Sequence, residues 1–175
     1  MELKEVELHG YDRKLMGGNL PSDTLSALLA SEGMILFHFL RHLDCIYCKH
    51  SVDQLYKISR EMPNFPIIYF VHTGDKAQGD EFFARHFPGA RHIADPRQDL
   101  YRHFGIRRLG CFQFLNPRMI FKGFKLFFKG YRNVVRKSSD IRVLSGTFLF
   151  HNGQMVWAHR ARYAGDEPSW ERIIK

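Results

Sequence analysis

The stretch Gly33-Met-Ile-Leu-Phe-His-Phe-Leu40, followed by Arg41-His-Leu-Asp44 and then Cys45-Ile-Tyr-Cys48, decides how this chain is read. From Met34 to Leu40 every side chain but His38 is apolar, which suits a central strand covered by helices on both faces. Cys45 arrives just past the end of that strand. From Cys48 onward Val52, Leu55, Tyr56 and Ile58 keep helical spacing, and Pro63 with Pro66 stop the helix before a second buried run, Ile67-Ile-Tyr-Phe-Val71. The result is a strand-helix-strand unit with two cysteines at its first junction.

Working outward, a short N-terminal strand and a Gly17-Gly18-Asn19 turn precede Pro21-Ser22-Asp23, which offers caps for a helix through Leu25, Leu28 and Leu29 ending near Gly33. A helix around Asp80 to His86, an extended His92-Ile93-Ala94 and a helix capped by Asp95-Pro96 and running to Gly105 follow the second strand. Val143 to His151 and Gln154 to Arg160 are β-rich runs joined by Asn152-Gly153, a strong hairpin signal. Asp166 to Lys175 reads as a capped terminal helix. The expected fold is therefore α/β, a thioredoxin-like three-layer arrangement with a central mixed β-sheet flanked by helices. It is expected to form one domain over residues 1–175, with 1–21 as an N-terminal extension or edge strand and 107–140 as a basic-aromatic helical insertion.

The chain has 175 residues, 45% of them hydrophobic and 14% aromatic, enough for a substantial core. The run from Gly33 to Leu40 is less than half of the ~20 residues a spanning helix needs. Met1 to Glu7 alternates charged and apolar residues and lacks the pattern of a secretory signal, so a cytoplasmic location is expected. Three cysteines are too few for a disulfide framework, and in a reducing compartment such cysteines more often carry chemistry or metal. The net charge of +8 favours anionic partners.

A thiol attacks only as its thiolate. At a helix start, unpaired N–H groups and the helix dipole favour negative charge, and Arg41, His42, Lys49 and His50 add cations in sequence proximity. Together these are expected to bring a cysteine pKa from about 8.5 to below about 7.5. Cys45, which precedes the helix, is expected to be the more exposed thiol and the nucleophile, with Cys48 reaching back to resolve a mixed disulfide. Asp44 acts mildly against this by raising the Cys45 pKa. A zinc site would enlist His42 or His50 but lacks a second ligand pair, so no metal is assigned. No bound cofactor is expected for dithiol-disulfide cycling.

The segment Phe39-Leu-Arg-His-Leu-Asp-Cys-Ile-Tyr-Cys48 resembles the active-site region of the peroxiredoxin-like AhpC/TSA proteins that include selenoprotein U. Ala94-Asp95-Pro96 with Leu100-Tyr101 and Phe104-Gly105, then Ser145-Gly-Thr-Phe148 with Ala158-His-Arg160 and Gly165-Asp166, extend the likeness over roughly residues 22 to 175. The resemblance implies a thioredoxin-like fold and thiol-based redox activity. Some members carry selenocysteine at the first position of the pair, which implies attack by Cys45. The peroxiredoxin pattern Pro-x-x-x-Thr-x-x-Cys is absent: Arg41 and Cys45 precede Cys48 at those spacings, and His38 and His42 precede Cys45. Ser145 stands where many relatives carry an arginine facing the site, and no proline occupies the position of the thioredoxin cis-proline. The expected function is thiol-disulfide oxidoreduction on a disulfide substrate, with hydroperoxide reduction through a cysteine sulfenic acid as the alternative. Either needs an external thiol reductant such as a thioredoxin or glutathione system.

Supporting roles are open to Arg41, His42, Ser145, Thr147, His159 and Arg160, each with a structural alternative; Asp166, for instance, is also a helix cap. Cys111 reads either as a distant resolving or redox-sensitive thiol or as a small buried hydrophobe beside Phe112 and Phe114. No acidic residue occurs between Asp99 and Asp140, while lysines and arginines accumulate among Phe121, Phe124, Phe127 and Phe128. A helix from Pro117 would show a broad aromatic face, either buried against the sheet or lying on an anionic membrane surface or acidic partner. The latter would allow a non-catalytic binding module. No reader motif accompanies the basic residues, which disfavours nucleic acid.

Overall fold

The computed structural model describes Tyr11, residues 13–30, 33–110, 116–132 and 140–170, and Ile173. Strands β1 (Met16–Gly18), β2 (Met34–Phe39), β3 (Ile67–His72), β4 (Arg91–Ala94), β5 (Gly146–His151) and β6 (Gln154–Arg160) form one sheet in the order β1-β4-β3-β2-β5-β6. Strands β2, β3 and β4 run parallel; β1, β5 and β6 each run antiparallel to their neighbours. The mixed sheet is the one the sequence predicts.

Side chains alternate across β2. Ile35, Phe37 and Phe39 enter a core with Leu25, Leu28 and Leu29 of α1 (Leu25–Leu29) and Leu100 and Tyr101 of α4 (Asp99–His103). Leu36 and Leu40 enter the opposite core with Val52 and Leu55 of α2 (Ile46–Glu61), Phe82 and Phe83 of α3 (Lys76–His86), and both Cys45 and Cys48. Two buried faces explain why the strand reads as a continuous apolar run. Alternation also sends His38 to the thiol-bearing face.

Local chemistry ends most elements as expected. Asp75 and Gln78 form a capping box at α3. The Asp95 carboxylate accepts from the N–H groups of Asp99, Leu100 and Tyr101 at 2.9, 2.8 and 3.3 Å. Asn152 and Gly153 both take positive φ, 50° and 78°, as a two-residue hairpin turn requires. The Asn152 Oδ1 accepts from Gly33 N–H, pinning that turn to the start of β2.

Three expectations are corrected. Gly17 and Gly18 pair with Ile93 and His92 as part of β1, and the turn begins only at Asn19. The α1 cap is Thr24, whose hydroxyl accepts from Ala27 N–H, and not the Pro21-Ser22-Asp23 triplet. Residues 166–169 are not helical, and beyond Trp170 only Ile173, whose N–H donates to the Trp170 carbonyl at 3.2 Å, lies among the described residues. Asp166 instead receives the Arg162 N–H at 2.9 Å and braces the turn after β6.

Candidate active site at the Cys45 to Cys48 turn

Strand β2 delivers the chain to the site. The buried Tyr101 hydroxyl donates its single hydrogen to the Leu40 carbonyl and lies 3.0 Å from that of Val71, tying together the ends of β2 and β3. Cys45 N–H donates to the His42 carbonyl at 3.1 Å and closes a tight turn. Cys45, extended at φ −73° and ψ 128°, is the N-cap of α2, so Cys48 falls in the first helical turn. Both are free thiols. The expected difference in exposure is absent: Cys45 is 2% and Cys48 3% exposed.

Arg41 organises the charge. Its Nε donates to the Val143 carbonyl at 3.0 Å and its Nη2 to the Ile141 carbonyl, which leaves Nη1 3.5 Å from Cys45 Sγ. Its backbone N–H reaches Cys48 Sγ at 3.2 Å. Carbonyls without formal charge hold the guanidinium in place, so its positive charge stays available to the sulfur. A hydrogen bond from the Cys48 thiol holds the Cys45 pKa well below the ordinary thiol range against the opposing effect of burial, with Arg41 and His42 adding to it. Burial, then the bond and charge of Cys45, push Cys48 well above that range. One proton is thereby kept on Cys48. Lys49 and His50 do not supply the expected charge at the sulfur: Lys49 Nζ donates to the Arg132 carbonyl at 3.0 Å, and His50 faces Glu167 at 3.8 Å.

Beneath the turn lies a polar chain of which only Thr147 was expected to support the site. His38 Nδ1 meets Thr147 Oγ1 at 2.9 Å and His38 Nε2 meets Ser51 Oγ at 3.0 Å. The Ser51 hydroxyl also lies 3.1 Å from the Cys48 carbonyl, to which it donates. Burial lowers the His38 pKa to about 4, so the ring is neutral near pH ~7 and links β5 to the first turns of α2. The signal was visible as the single polar residue in an apolar strand. The Ile141 and Val143 carbonyls that anchor Arg41 left no such signal.

Other expected residues divide. Thr147 joins through His38, while buried Ser145 stands just before β5, where Gly146 pairs with Phe39. His42 is buried and its pKa is lowered, chiefly by burial. His159 pairs in register with Thr147, but its Nε2 donates to the Asp166 carbonyl at 3.2 Å. Arg160 belongs elsewhere: its Nε donates to Phe104 O at 3.0 Å and its guanidinium lies over the Phe148 ring at 4.9 Å, in the core opposite the thiols. Cys111 lies outside the described residues.

A fifth helix, α5 (Pro117–Phe128), covers the turn. Tyr47 reaches it, donating to the Met119 carbonyl at 2.7 Å. A Cβ at Gly123 would stand 2.8 Å from the Tyr47 hydroxyl, and one at Gly165 2.7 Å from its ring, so both glycines make room for this side chain. On the far side of the turn a cleft of about 430 Å³ runs between the cysteine loop and α3, lined by His42, Asp44, Lys49, Gln78, Glu81 and Arg85 among others. The buried Nδ1 of His42 has no hydrogen-bond partner among the described residues.

Comparison with known proteins gives this geometry a context. The sequence model of the AhpC/TSA antioxidant enzymes matches residues 54–163, a span that begins after the cysteine pair. No curated protein matches. Among solved structures, peroxiredoxin Q of Xanthomonas campestris is similar over 86% of this chain and 80% of its own, with 18% identity and a TM-score of 0.60. Reduced Prx3 of Vibrio vulnificus in complex with hydrogen peroxide is similar over 93% and 91%, with 10% identity and a TM-score of 0.64. A peroxiredoxin-like protein from Aquifex aeolicus gives 93% and 79%, 10% and 0.62. At these identities the likeness is one of fold.

Proposed function

The chain belongs to the AhpC/TSA antioxidant enzyme family, and from that premise we propose that Cys45 and Cys48 are the redox centre of a thiol oxidoreductase. The observation that carries the reading is the guanidinium of Arg41, held by two backbone carbonyls with Nη1 3.5 Å from Cys45 Sγ. A thiol beside such a group is poised as the attacking thiolate, and its neighbour keeps the proton.

On a disulfide substrate, the Cys45 thiolate attacks one sulfur, the other leaves as a thiolate, and a mixed disulfide forms. Cys48 gives up its proton and attacks Cys45 Sγ, releasing the second substrate thiol and leaving a Cys45–Cys48 disulfide. An external thiol reductant, one dithiol of the thioredoxin type or two monothiols of the glutathione type, then supplies two electrons and two protons to restore the pair and is itself oxidised to a disulfide. The cleft beside His42 is the proposed approach for substrate or reductant. A cycle that needs continual reduction suits a reducing cytoplasm.

A second reading has its own support in the family's antioxidant character and in the alkyl peroxide reduction activity named for another solved structure of similar fold, the bacterioferritin comigratory protein of Xanthomonas campestris. In it the thiolate attacks the terminal peroxide oxygen, an alcohol or water leaves, and Cys48 condenses with the sulfenic acid to release water. Stopped-flow reduction of hydrogen peroxide and of a small disulfide, in wild type, Cys45→Ser and Cys48→Ser, separates the two. Cys45→Ser is expected to abolish turnover. Cys48→Ser is expected to trap a mixed disulfide in the first reading and a sulfenic acid at Cys45 in the second. Activity surviving in Cys45→Ser overturns both.

A further inference from the structure

The sequence left open whether the phenylalanines of α5 are buried against the sheet or face outward. They face outward: Phe121 is 83%, Phe124 63%, Phe127 48% and Phe128 84% exposed, with Ile120 at 44%, and only Leu126 is buried. At about 100° per residue, Phe127, Ile120, Phe124, Phe128 and Phe121 fall in one arc of roughly 120°. Arg118, Lys125 and Lys129 follow along one border of that arc. Met119, Gly123 and Leu126 take the remaining side, where the Met119 carbonyl and Gly123 meet Tyr47. The helix thus rests on the domain by a narrow strip and turns its apolar face to solvent.

We propose that this face docks the protein on an anionic lipid bilayer. Three observations select that occupant. Bulky aromatics project from a convex, solvent-facing helix, the arrangement by which interfacial helices sink an apolar face among acyl chains while basic side chains meet headgroups. The cations along the border are available: among the described residues, Arg118, Lys125 and Lys129 form no ion pair, whereas Lys122, nearer the domain, is used internally by Gly165 O and Glu167. The sequence from Pro117 to Arg132 contains no carboxylate, and the chain carries a net charge of +8. A second copy of the chain fits worse, because a two-fold interface on this helix would bring each set of cations toward its equivalent. Docking through α5 would set the neighbouring Cys45 turn beside the membrane surface, but the binding itself does not depend on thiol chemistry.

The test is co-sedimentation of the full chain with phosphatidylcholine vesicles, with and without about one third phosphatidylglycerol, at low and high salt. Wild type is expected to pellet only with the anionic vesicles, and less at high salt. Phe121→Ser/Phe124→Ser/Phe128→Ser, which changes three exposed positions, is expected to weaken partitioning about tenfold or more. Lys125→Glu/Lys129→Glu is expected to have a comparable effect. Unchanged circular dichroism and thiol titration in both variants show that the fold is intact. Failure of wild type to pellet, or pelleting that survives the phenylalanine substitutions, overturns the proposal. So does concentration-dependent dimerisation lost in the phenylalanine variant, which assigns the face to a second copy. Phenylalanine-dependent retention on immobilised polyglutamate without vesicle binding assigns it to an acidic protein and overturns the proposal equally.

Discussion

Among the described residues Arg41 pairs with no carboxylate, and this is what makes it useful. An ion pair would neutralise its charge; two carbonyls from the 141–143 segment orient the guanidinium and leave the charge for Cys45. Replacing it by methionine keeps much of the aliphatic bulk and removes the guanidinium. Arg41→Met is expected to move the Cys45 thiolate titration, read by ultraviolet absorbance against pH, upward, and to slow attack at neutral pH by about a hundredfold. The sign follows from the acid form: raising pH through the lowered Cys45 pKa creates the thiolate proposed as nucleophile, so the rate is expected to rise with pH and then level. In the variant that rise occurs at higher pH. An unchanged titration would show that Arg41 serves only to hold the loop.

At the scale of elements, the junction of β2 and α2 is held from below by His38 and from above by Tyr47. Tyr47→Phe loses the bond to the Met119 carbonyl, worth about 1 kcal/mol. It is expected to raise hydrogen exchange over 117–128, to speed alkylation of the buried cysteines and to lower the urea midpoint by about half a molar. Gly165→Ala acts on the same seat more severely. Its φ of +82° disfavours a Cβ, and that atom would lie 2.7 Å from the Tyr47 ring; a loss of about 2 kcal/mol is expected in urea unfolding. The seat for Tyr47 is built from residues far away in the chain, Met119, Gly123 and Gly165, so only α2 itself, with its spacing and its proline stop, was legible in the sequence.

Across the whole molecule, burial of imidazoles sets the response to acid. The His38 pKa is lowered to about 4 and that of His72 to about 3, mainly by burial, and that of His92 is also lowered. His72 Nε2 and His92 Nδ1 lie 3.0 Å apart, and His92 Nε2 meets Asp80 Oδ1 at 3.0 Å. An unfolded chain protonates such rings near pH ~6.5. Between about 6.5 and about 4 it therefore binds protons that the folded protein refuses, so this stability is complete above about pH 6.5 and falls as pH drops. His38 alone corresponds to a loss on the order of 3 kcal/mol by pH ~4. Urea midpoints measured between about pH 7 and about pH 4.5 are expected to fall steadily, and His38→Asn to start lower and fall less steeply. A wild-type profile that stays flat would contradict the assignment.

The sequence by itself determined what depends on neighbours in the chain. The apolar run broken by His38 defined a strand buried on both faces; the proline stops and helical spacing defined α2; Asn152-Gly153 defined the hairpin, because positive φ at two successive residues is a local demand. The same signals put Cys45 and Cys48 at a strand-to-helix junction with Arg41 and His42 nearby. Tertiary structure alone decided that both thiols are buried, that Arg41 is anchored by carbonyls about a hundred residues away, that the half-buried Arg160 lies against the opposite core, and that the α5 phenylalanines face solvent. Periodicity says that a helix has an apolar face; whether a partner covers it depends on the path of the rest of the chain.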